Sequence, residues 1–293
     1  MAKRWGIIIA ALCLSVVTAK AGTPEYFKAD SVSVSRGALM AFGGEVEKKL
    51  ARGLHISAEG EVRLKEMNNF KPDVNHLKLI EVGGKLSYKV CDYLKVGGGY
   101  FYRAYLKDGK ESTAWKNYWE HKHVVIAEAV ASYKVSQWKF SLRVRPELTI
   151  RTDSICELEK VRNFAELRTR LQVEYDFREK PFEVFVYTEM FNTLNAIDPN
   201  ATLNEVYRLN WPETNPGYSV DWSGQYMNNI RAVTGFSYRF DKRNSIKVYY
   251  RFDYDIGRSI HLNRNYAKNF KEFCVTREKE YSHMLGVSYA YSF

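Results

Sequence analysis

In the stretch SLRVRPELTIR, Arg143, Arg145, Glu147 and Arg151 recur at spacings of two and four residues, and AELRTRLQVEYDF repeats the pattern with Glu166, Arg168 and Arg170. Residues two apart in an extended chain point to the same side, so each stretch carries one charged face and one apolar face. Glu59, Glu61 and Arg63 do the same in LHISAEGEVRLK, and Arg231, Arg251 and Asp253 fall on charged faces of two later stretches. Guanidinium and carboxylate groups at this density can do two things. They can pair and fill an interior, or they can ring an opening and select small ions or anionic solutes. These residues form the predicted charge network, and its chemistry is electrostatic.

Other constellations carry weaker chemistry. His121 and His123 share a face and could ligate a metal, yet no third ligand stands at a fixed spacing. An interfacial role is the better reading, and no metal or other cofactor is expected. His283 is the main ionisable group on an apolar face, but no serine is spaced to receive it and no G-x-S-x-G elbow is present, so the protein is not expected to be an enzyme. Cys156 and Cys274 both fall in long connections, where an oxidising exterior would permit a bridge that leaves Cys91 odd; three free thiols are the alternative. The segment 193–225 carries Trp211, Tyr218 and Trp222, which could stack on sugar rings as binding residues or pack the loop onto a rim.

The elements that must position these side chains are strands. Apolar and polar residues alternate near 38–50, 54–65, 79–90, 94–106, 124–135, 138–151, 164–177, 182–192, 229–240, 245–256 and 281–293, with no convincing helix between them. The window FAELRTRLQVEY also fits a helical face, and its neighbours decide for strand. Pro146 removes a ladder donor in mid-strand and predicts an edge or a bulge there. Short turns at 51–53, 91–93, 136–137, 178–181 and 241–244 alternate with long loops at 66–77, 107–120, 152–163, 193–225 and 257–280. Keeping the long loops at one end is a habit of outer-membrane barrels. Strands of this length exceed the roughly 9–11 residues a tilted strand needs to cross a bilayer. Backbone groups in lipid must all pair, so the sheet must close. Apolar faces then meet lipid and charged faces line a lumen. Tyr88, Tyr133, Trp138, Tyr175, Tyr238 and Phe240 flank the short turns as an interfacial girdle. The terminal alternation of Tyr289, Tyr291 and Phe293 belongs to it, and resembles the C-terminal strand signature read by the outer-membrane barrel assembly machinery.

Composition fits a folded chain: 45% of the 293 residues are hydrophobic and 15% aromatic, with only 7 prolines. Mean hydropathy is −0.41, and no apolar run reaches the ~20 residues of a membrane helix, but alternating strands hide from such averages. Residues 1–21 read as a cleaved signal peptide, with Lys3 and Arg4, the apolar run GIIIAALCLSVVTA, and a cleavage site at Ala19–Ala21. Leu12 before Cys13 argues against a lipoprotein. The leader holds three of the 44 basic residues and none of the 34 acidic ones, so the formal charge of +10 falls to about +7, a mild basic excess that attracts anions or acidic lipid head groups. Export also sets a parity condition. If the short turns are periplasmic, strand 38–50 runs downward while cleavage leaves Gly22 in the periplasm, so one upward strand is missing. Residues 22–37, where Val32 and Val34 alternate, form that short first strand or thread the lumen as a plug. The prediction is an all-β protein whose residues 38–293 form a closed antiparallel transmembrane β-barrel of about twelve strands, with short periplasmic turns and long extracellular loops.

The hairpin of SLRVRPELTIR and AELRTRLQVEYDF resembles an uncharacterised barrel family, the domain of unknown function 2490 from outer membranes of Bacteroidota. The similarity is best across 38–177 and in FSYRFDKRNSIKVYYRFDYD. The resemblance implies a fold and an outer-membrane location in a Gram-negative cell, and supplies no catalytic residue. The expected function is passive: a narrow porin-like channel for ions or small solutes, or a closed structural barrel with an Arg/Glu lumen. The alternatives are a barrel whose surface loops bind a ligand and, last, a lipid hydrolase. Expected partners are outer-membrane lipid and lipopolysaccharide, the assembly machinery and a small anionic solute; an exported protein rarely meets nucleic acid.

Overall fold

The computed structural model describes residues 27–64, 77–107, 118–152, 163–177, 180–195, 219–222, 227–261 and 273–293. Residues 1–21, read as a signal peptide, and Cys156, Trp211 and Tyr218 lie outside the described residues. Every described element is a strand: β1 Phe27–Ala51, β2 Leu54–Leu64, β3 Leu77–Cys91, β4 Leu94–Lys107, β5 Tyr118–Val135, β6 Trp138–Arg151, β7 Asn163–Phe177, β8 Phe182–Thr193, β9 Ser219–Trp222, β10 Met227–Arg239, β11 Asn244–His261 and β12 Phe273–Ser292. The alternation read from the sequence is realised as two faces of one curved sheet. Phe42, Val46, Val82, Leu86, Leu171, Val186 and Leu285 are exposed on the outer face, and the charged residues that alternate with them point inward.

Neighbouring strands pair antiparallel from β1 through β8, β8 pairs with β10, and β10 with β11, which pairs with β12. The ring then closes through a parallel pair, with Leu39↔Met284, Ala41↔Gly286 and Val46↔Tyr291 across the β1–β12 seam. Eleven strands make the barrel, and β9 lies outside the ring, paired with Arg258–His261 of β11. Three expectations are corrected by this arrangement. The barrel is not wholly antiparallel, the ring has eleven strands where twelve were expected, and segment 193–225 contains a strand. Residues 27–37 are the first part of β1, paired along β12 from Phe27↔Phe273 onward. The parity argument placed the start of the chain at the short-turn end and so called for one more strand before strand 38–50. A parallel seam closes an odd ring, and it satisfies the face pattern because inward Leu39 meets inward Met284 while outward Phe42 meets outward Val287.

The short connections are formed by local chemistry. Gly53 supplies the left-handed backbone, φ 78°, of the turn between β1 and β2. Between β10 and β11, the Asp241 carboxylate accepts from the backbone N–H groups of Arg243 at 2.6 Å and Asn244 at 2.8 Å. Those bonds hold its carboxyl below the usual carboxylate range. At Pro146 the β5–β6 ladder passes from Ile126↔Glu147 to Ala129↔Val144 with no change of register, so the missing donor leaves a gap in the ladder and neither the edge nor the bulge expected there.

The inner face is not uniformly polar. Phe101, Val124 and Ile126 form one buried cluster, and Leu39, Ala41 and Met284 form another against Tyr249. Three inward rings lie over a glycine directly opposite on the next strand: Phe101 over Gly83, Tyr249 over Gly286 and Phe185 over Gly235. A side chain at Gly83 would collide with both the Phe101 ring and the Tyr100 carbonyl, and the carbonyl cannot turn away as a ring tip can. Gly83→Ala should therefore lower stability by about 1–3 kcal/mol, the usual cost of overpacking. Gly60→Ala, whose Cβ would meet nothing closer than 3.7 Å, should leave the urea midpoint of the refolded barrel unchanged.

Candidate functional site in the barrel lumen

The lumen holds a chain of ion pairs that crosses strand after strand. Glu81 of β3 pairs with Arg103 of β4, and Arg103 reaches past β5 to Glu147 of β6 at 2.5 Å. Glu147 also holds Arg168 of β7 at 3.0 Å, and Arg168 donates to Glu189 of β8 at 3.1 Å. From Glu189 the chain continues to Arg231 of β10 at 3.4 Å, then to Asp253 of β11 at 2.6 Å and back along β11 to Arg251 at 2.5 Å. Beside it, Arg145 takes Glu128 with two N–H groups, at 2.7 and 3.1 Å, Arg63 pairs with Glu61, and Lys85 with Glu59.

Glu189 is the hub. Its side chain has no solvent exposure, and four guanidinium groups surround it: Arg143 at 2.5 Å, Arg168 at 3.1 Å, Arg170 at 3.2 Å and Arg231 at 3.4 Å. Aromatic rings on the same inner face hold these planes in place. Arg170 lies 3.9 Å from the Tyr187 ring centre, while Arg168 and Arg231 lie 4.4 and 4.6 Å from that of Phe191. Asn228 donates to Glu166 at 3.4 Å and to Thr193 at 2.8 Å.

A cavity of about 710 Å³ runs along this network. Its lining extends from Arg151, Phe164 and Asp255 towards the long loops, past Arg168, Arg170 and Arg231, to Glu45, Glu183 and Lys247 near the short turns. An adjoining space of about 190 Å³ shares Lys85, Arg143, Arg170, Gln172 and Glu174 with it. At ~30 Å³ per water the larger one has room for some two dozen molecules.

All the residues singled out for the charge network fall on the inner face and join it. Sequence reasoning placed Glu189 inside but did not see that it is the hub, and it missed Phe185, Tyr187, Phe191 and Tyr249 as inner residues. A signal for Glu189 was present. The short turn at 178–181 pairs Phe177 with Phe182, and stepping back along that hairpin sets Arg170 opposite Glu189. The inner aromatics gave none, because alternation assigns them to whichever face the barrel chooses.

The remaining candidates lie elsewhere. His121 and His123 face outward and bond the hydroxyls of Tyr102 and Tyr100; among the described residues no group of three or more His, Cys, Asp or Glu is arranged for a metal. His283 also faces outward, 2.5 Å from the Tyr250 hydroxyl. Tyr289, Tyr291 and Phe293 lie on the outer face at the short-turn end, where the Phe293 N–H reaches the Glu47 carbonyl at 2.9 Å. Cys91 is an exposed free thiol. Cys274 and Trp222 belong to β12 and β9.

The model of a family described as protein of unknown function (DUF2490) matches residues 42–261. No curated protein matches the chain.

Glu189 gives the site a measurable signature. Glu189→Gln leaves four guanidinium groups without their shared carboxylate and should cost about 3–5 kcal/mol, as uncompensated buried charge does. Asp176→Asn breaks the Arg239–Asp176 pair, whose arginine side chain is 48% exposed, and should cost less than about 1 kcal/mol. Urea unfolding of both variants measures the contrast.

Proposed function

We propose, for a chain that belongs to the DUF2490 family, the role of an outer-membrane barrel that passes small ions and dipolar solutes through a charged constriction. The observation that carries this reading is the 710 Å³ cavity running past the ion-pair network. The setting is a Gram-negative cell, and the resemblance of the Arg/Glu hairpin points to Bacteroidota.

The exterior supports a lipid environment. A continuous outer face of exposed Phe, Val, Leu and Tyr would be an association surface in water. Aromatic side chains band its short-turn end, with Trp138–Tyr175, Tyr175–Phe177 and Phe177–Phe182 ring centres 4.7–5.5 Å apart. Towards the long-loop end the Tyr–His pairs at His121, His123 and His283 form a second band. On β5 the two bands are separated by Val125, Ala127, Ala129 and Ala131, between His123 and Tyr133. That interval, about ten residues at ~3.4 Å each and tilted by ~40°, spans roughly 25 Å, the height of the apolar band of outer-membrane barrels.

The lumen supports selective passage. In the ring order β1–β3 stands across from β7 and β8. The first wall contributes Glu45, Glu59, Glu61 and Glu81 against Arg63 and Lys85, an acidic excess, and the wall of β6–β7 contributes Arg143, Arg145, Arg151, Arg168 and Arg170 against Glu147, Glu166 and Glu174, a basic excess. Opposed walls of opposite sign create a transverse field in a low-dielectric space, which admits charged and dipolar solutes along different sides of one opening.

The refolded protein in a planar bilayer should give small, discrete conductance steps, with a reversal potential in a salt gradient that Arg170→Ala moves towards cations. A folded barrel that gives no steps would overturn the passage. Orientation is read from the native thiols. With short turns periplasmic, a membrane-impermeant maleimide on intact cells should leave Cys91 unlabelled until the outer membrane is opened, as mass mapping of the peptide would record.

A further inference from the structure

We propose that Arg143, Arg168 and Arg170 form a phosphate seat on the basic wall of the lumen. The seat rests on the reading of the lumen as a passage, since the anion must reach it.

The first observation is a local surplus of cations. Four arginines share Glu189, and two of them, Arg143 and Arg170, have no other carboxylate partner among the described residues. Arg168 and Arg231 divide themselves between Glu189 and one further acid each. One carboxylate thus balances more guanidinium charge than it carries, and buried charge of one sign calls for a counter-ion.

The second observation is a set of donors without acceptors. The Nε–H groups of Arg143, Arg168 and Arg170 are buried and have no hydrogen-bond partner among the described residues. The Arg168 side chain is nine-tenths buried, with 10% exposure. A buried donor left unpaired costs about 1–3 kcal/mol, so three together demand a reason. All three residues line the larger cavity, and Arg143 and Arg170 line the smaller one as well.

The chemistry of the ligand follows from the donors. They come from two adjacent strands, β6 and β7, and those of Arg168 and Arg170 are carried on planes stacked against Phe191 and Tyr187. A halide is a single centre and serves several N–H donors only where they converge on one point. A carboxylate offers two oxygens in one plane. A phosphate group offers three or four oxygens in a tetrahedron, and guanidinium groups match it in geometry as well as charge. The cavity takes inorganic phosphate or a small phosphate monoester and excludes a phospholipid, whose acyl chains have no apolar path through a lumen of arginine and glutamate.

The test uses the whole refolded protein in detergent and in a planar bilayer. At matched ionic strength, inorganic phosphate and glycerol phosphate are each compared with chloride for their effect on the thermal midpoint, and then for block of the chloride current. Phosphate should raise the midpoint of the wild type, and the half-saturating concentration should rise about tenfold or more in Arg170→Lys, which keeps the charge and loses the Nε donor, one charge-assisted bond being worth about tenfold. Lys139→Gln, at the turn-side edge of the smaller space, should keep the wild-type response. A stronger response to the monoester identifies a phosphorylated solute, and an equal one identifies the free ion. A midpoint raised by phosphate in a barrel that never conducts would leave the seat standing and remove the passage. Equal effects of phosphate and chloride in a barrel that conducts, or an Arg170→Lys response like the wild type, would overturn the seat.

Discussion

A carboxylate sealed from solvent cannot stay charged in a protein interior unless cations replace its water, and Glu189 meets that condition through four arginines, three on β6 and β7 and one across the β8–β10 step. The rest of the lumen is arranged around it. Each ladder ties a strand only to its two neighbours, so the ladders alone leave the cross-section of an eleven-stranded ring free to flatten. Within the network from Glu81 to Asp253, Arg103–Glu147 ties β4 to β6 and Arg143–Glu189 ties β6 to β8, strands that are not adjacent in the sheet. Its links are short and nearly dry, which makes them costly to break one at a time. The inner aromatics add the complementary constraint, since Phe101, Phe185 and Tyr249 fit only where Gly83, Gly235 and Gly286 stand opposite.

This inverts the usual division of labour. In a water-soluble protein the apolar core supplies the driving force and polar groups sit outside. Here the apolar residues face out, and in the proposed outer-membrane setting a bilayer offers them nothing that another apolar side chain would improve on. In that setting stability resides in the closed ladder, whose every break would expose an unpaired amide to lipid, and in the polar interior. The small apolar clusters inside serve a different purpose. Phe101, Val124 and Ile126 sit inside β4 and β5, where Arg103 passes over β5 to reach Glu147, and they exclude water from that pair.

The faces of the strands and the position of every short turn were legible in the sequence, because period-two alternation and tight-turn residues are local properties. The identity of the charge network was legible for the same reason: Arg143, Arg145, Arg168 and Arg170 share one parity. Two features were not legible. The count of strands was inferred from a rule about sidedness, whereas the seam between β1 and β12 is decided by which pairing keeps both face patterns in phase; Leu39 with Met284 and Phe42 with Val287 do so in parallel. The rank of Glu189 was hidden because nothing local distinguishes it from Glu183 or Glu174. Its role appears only when four strands are brought to one point, and that is a tertiary fact.

The asymmetry of the lumen has a consequence that net charge does not reveal. Acidic and basic residues are close to balance, so a lumen with its charges mixed at random would have little preference for either sign. Divided unequally between opposite walls, with acids in excess on β1–β3 and arginines in excess on β6–β7, the same charges would, in the proposed passage, favour a cation along Glu45, Glu59, Glu61 and Glu81 and an anion along Arg143, Arg168 and Arg170. Both paths share one narrow cross-section, and the fields of the two walls add between them. An anion held on the basic wall cancels part of the field that the acidic wall feels, and it also fills part of the opening. Occupancy of one wall therefore changes passage along the other by electrostatics and by volume together. A lumen built in this way can respond to a bound solute with no movement of its backbone, because the responding element is the charge distribution itself.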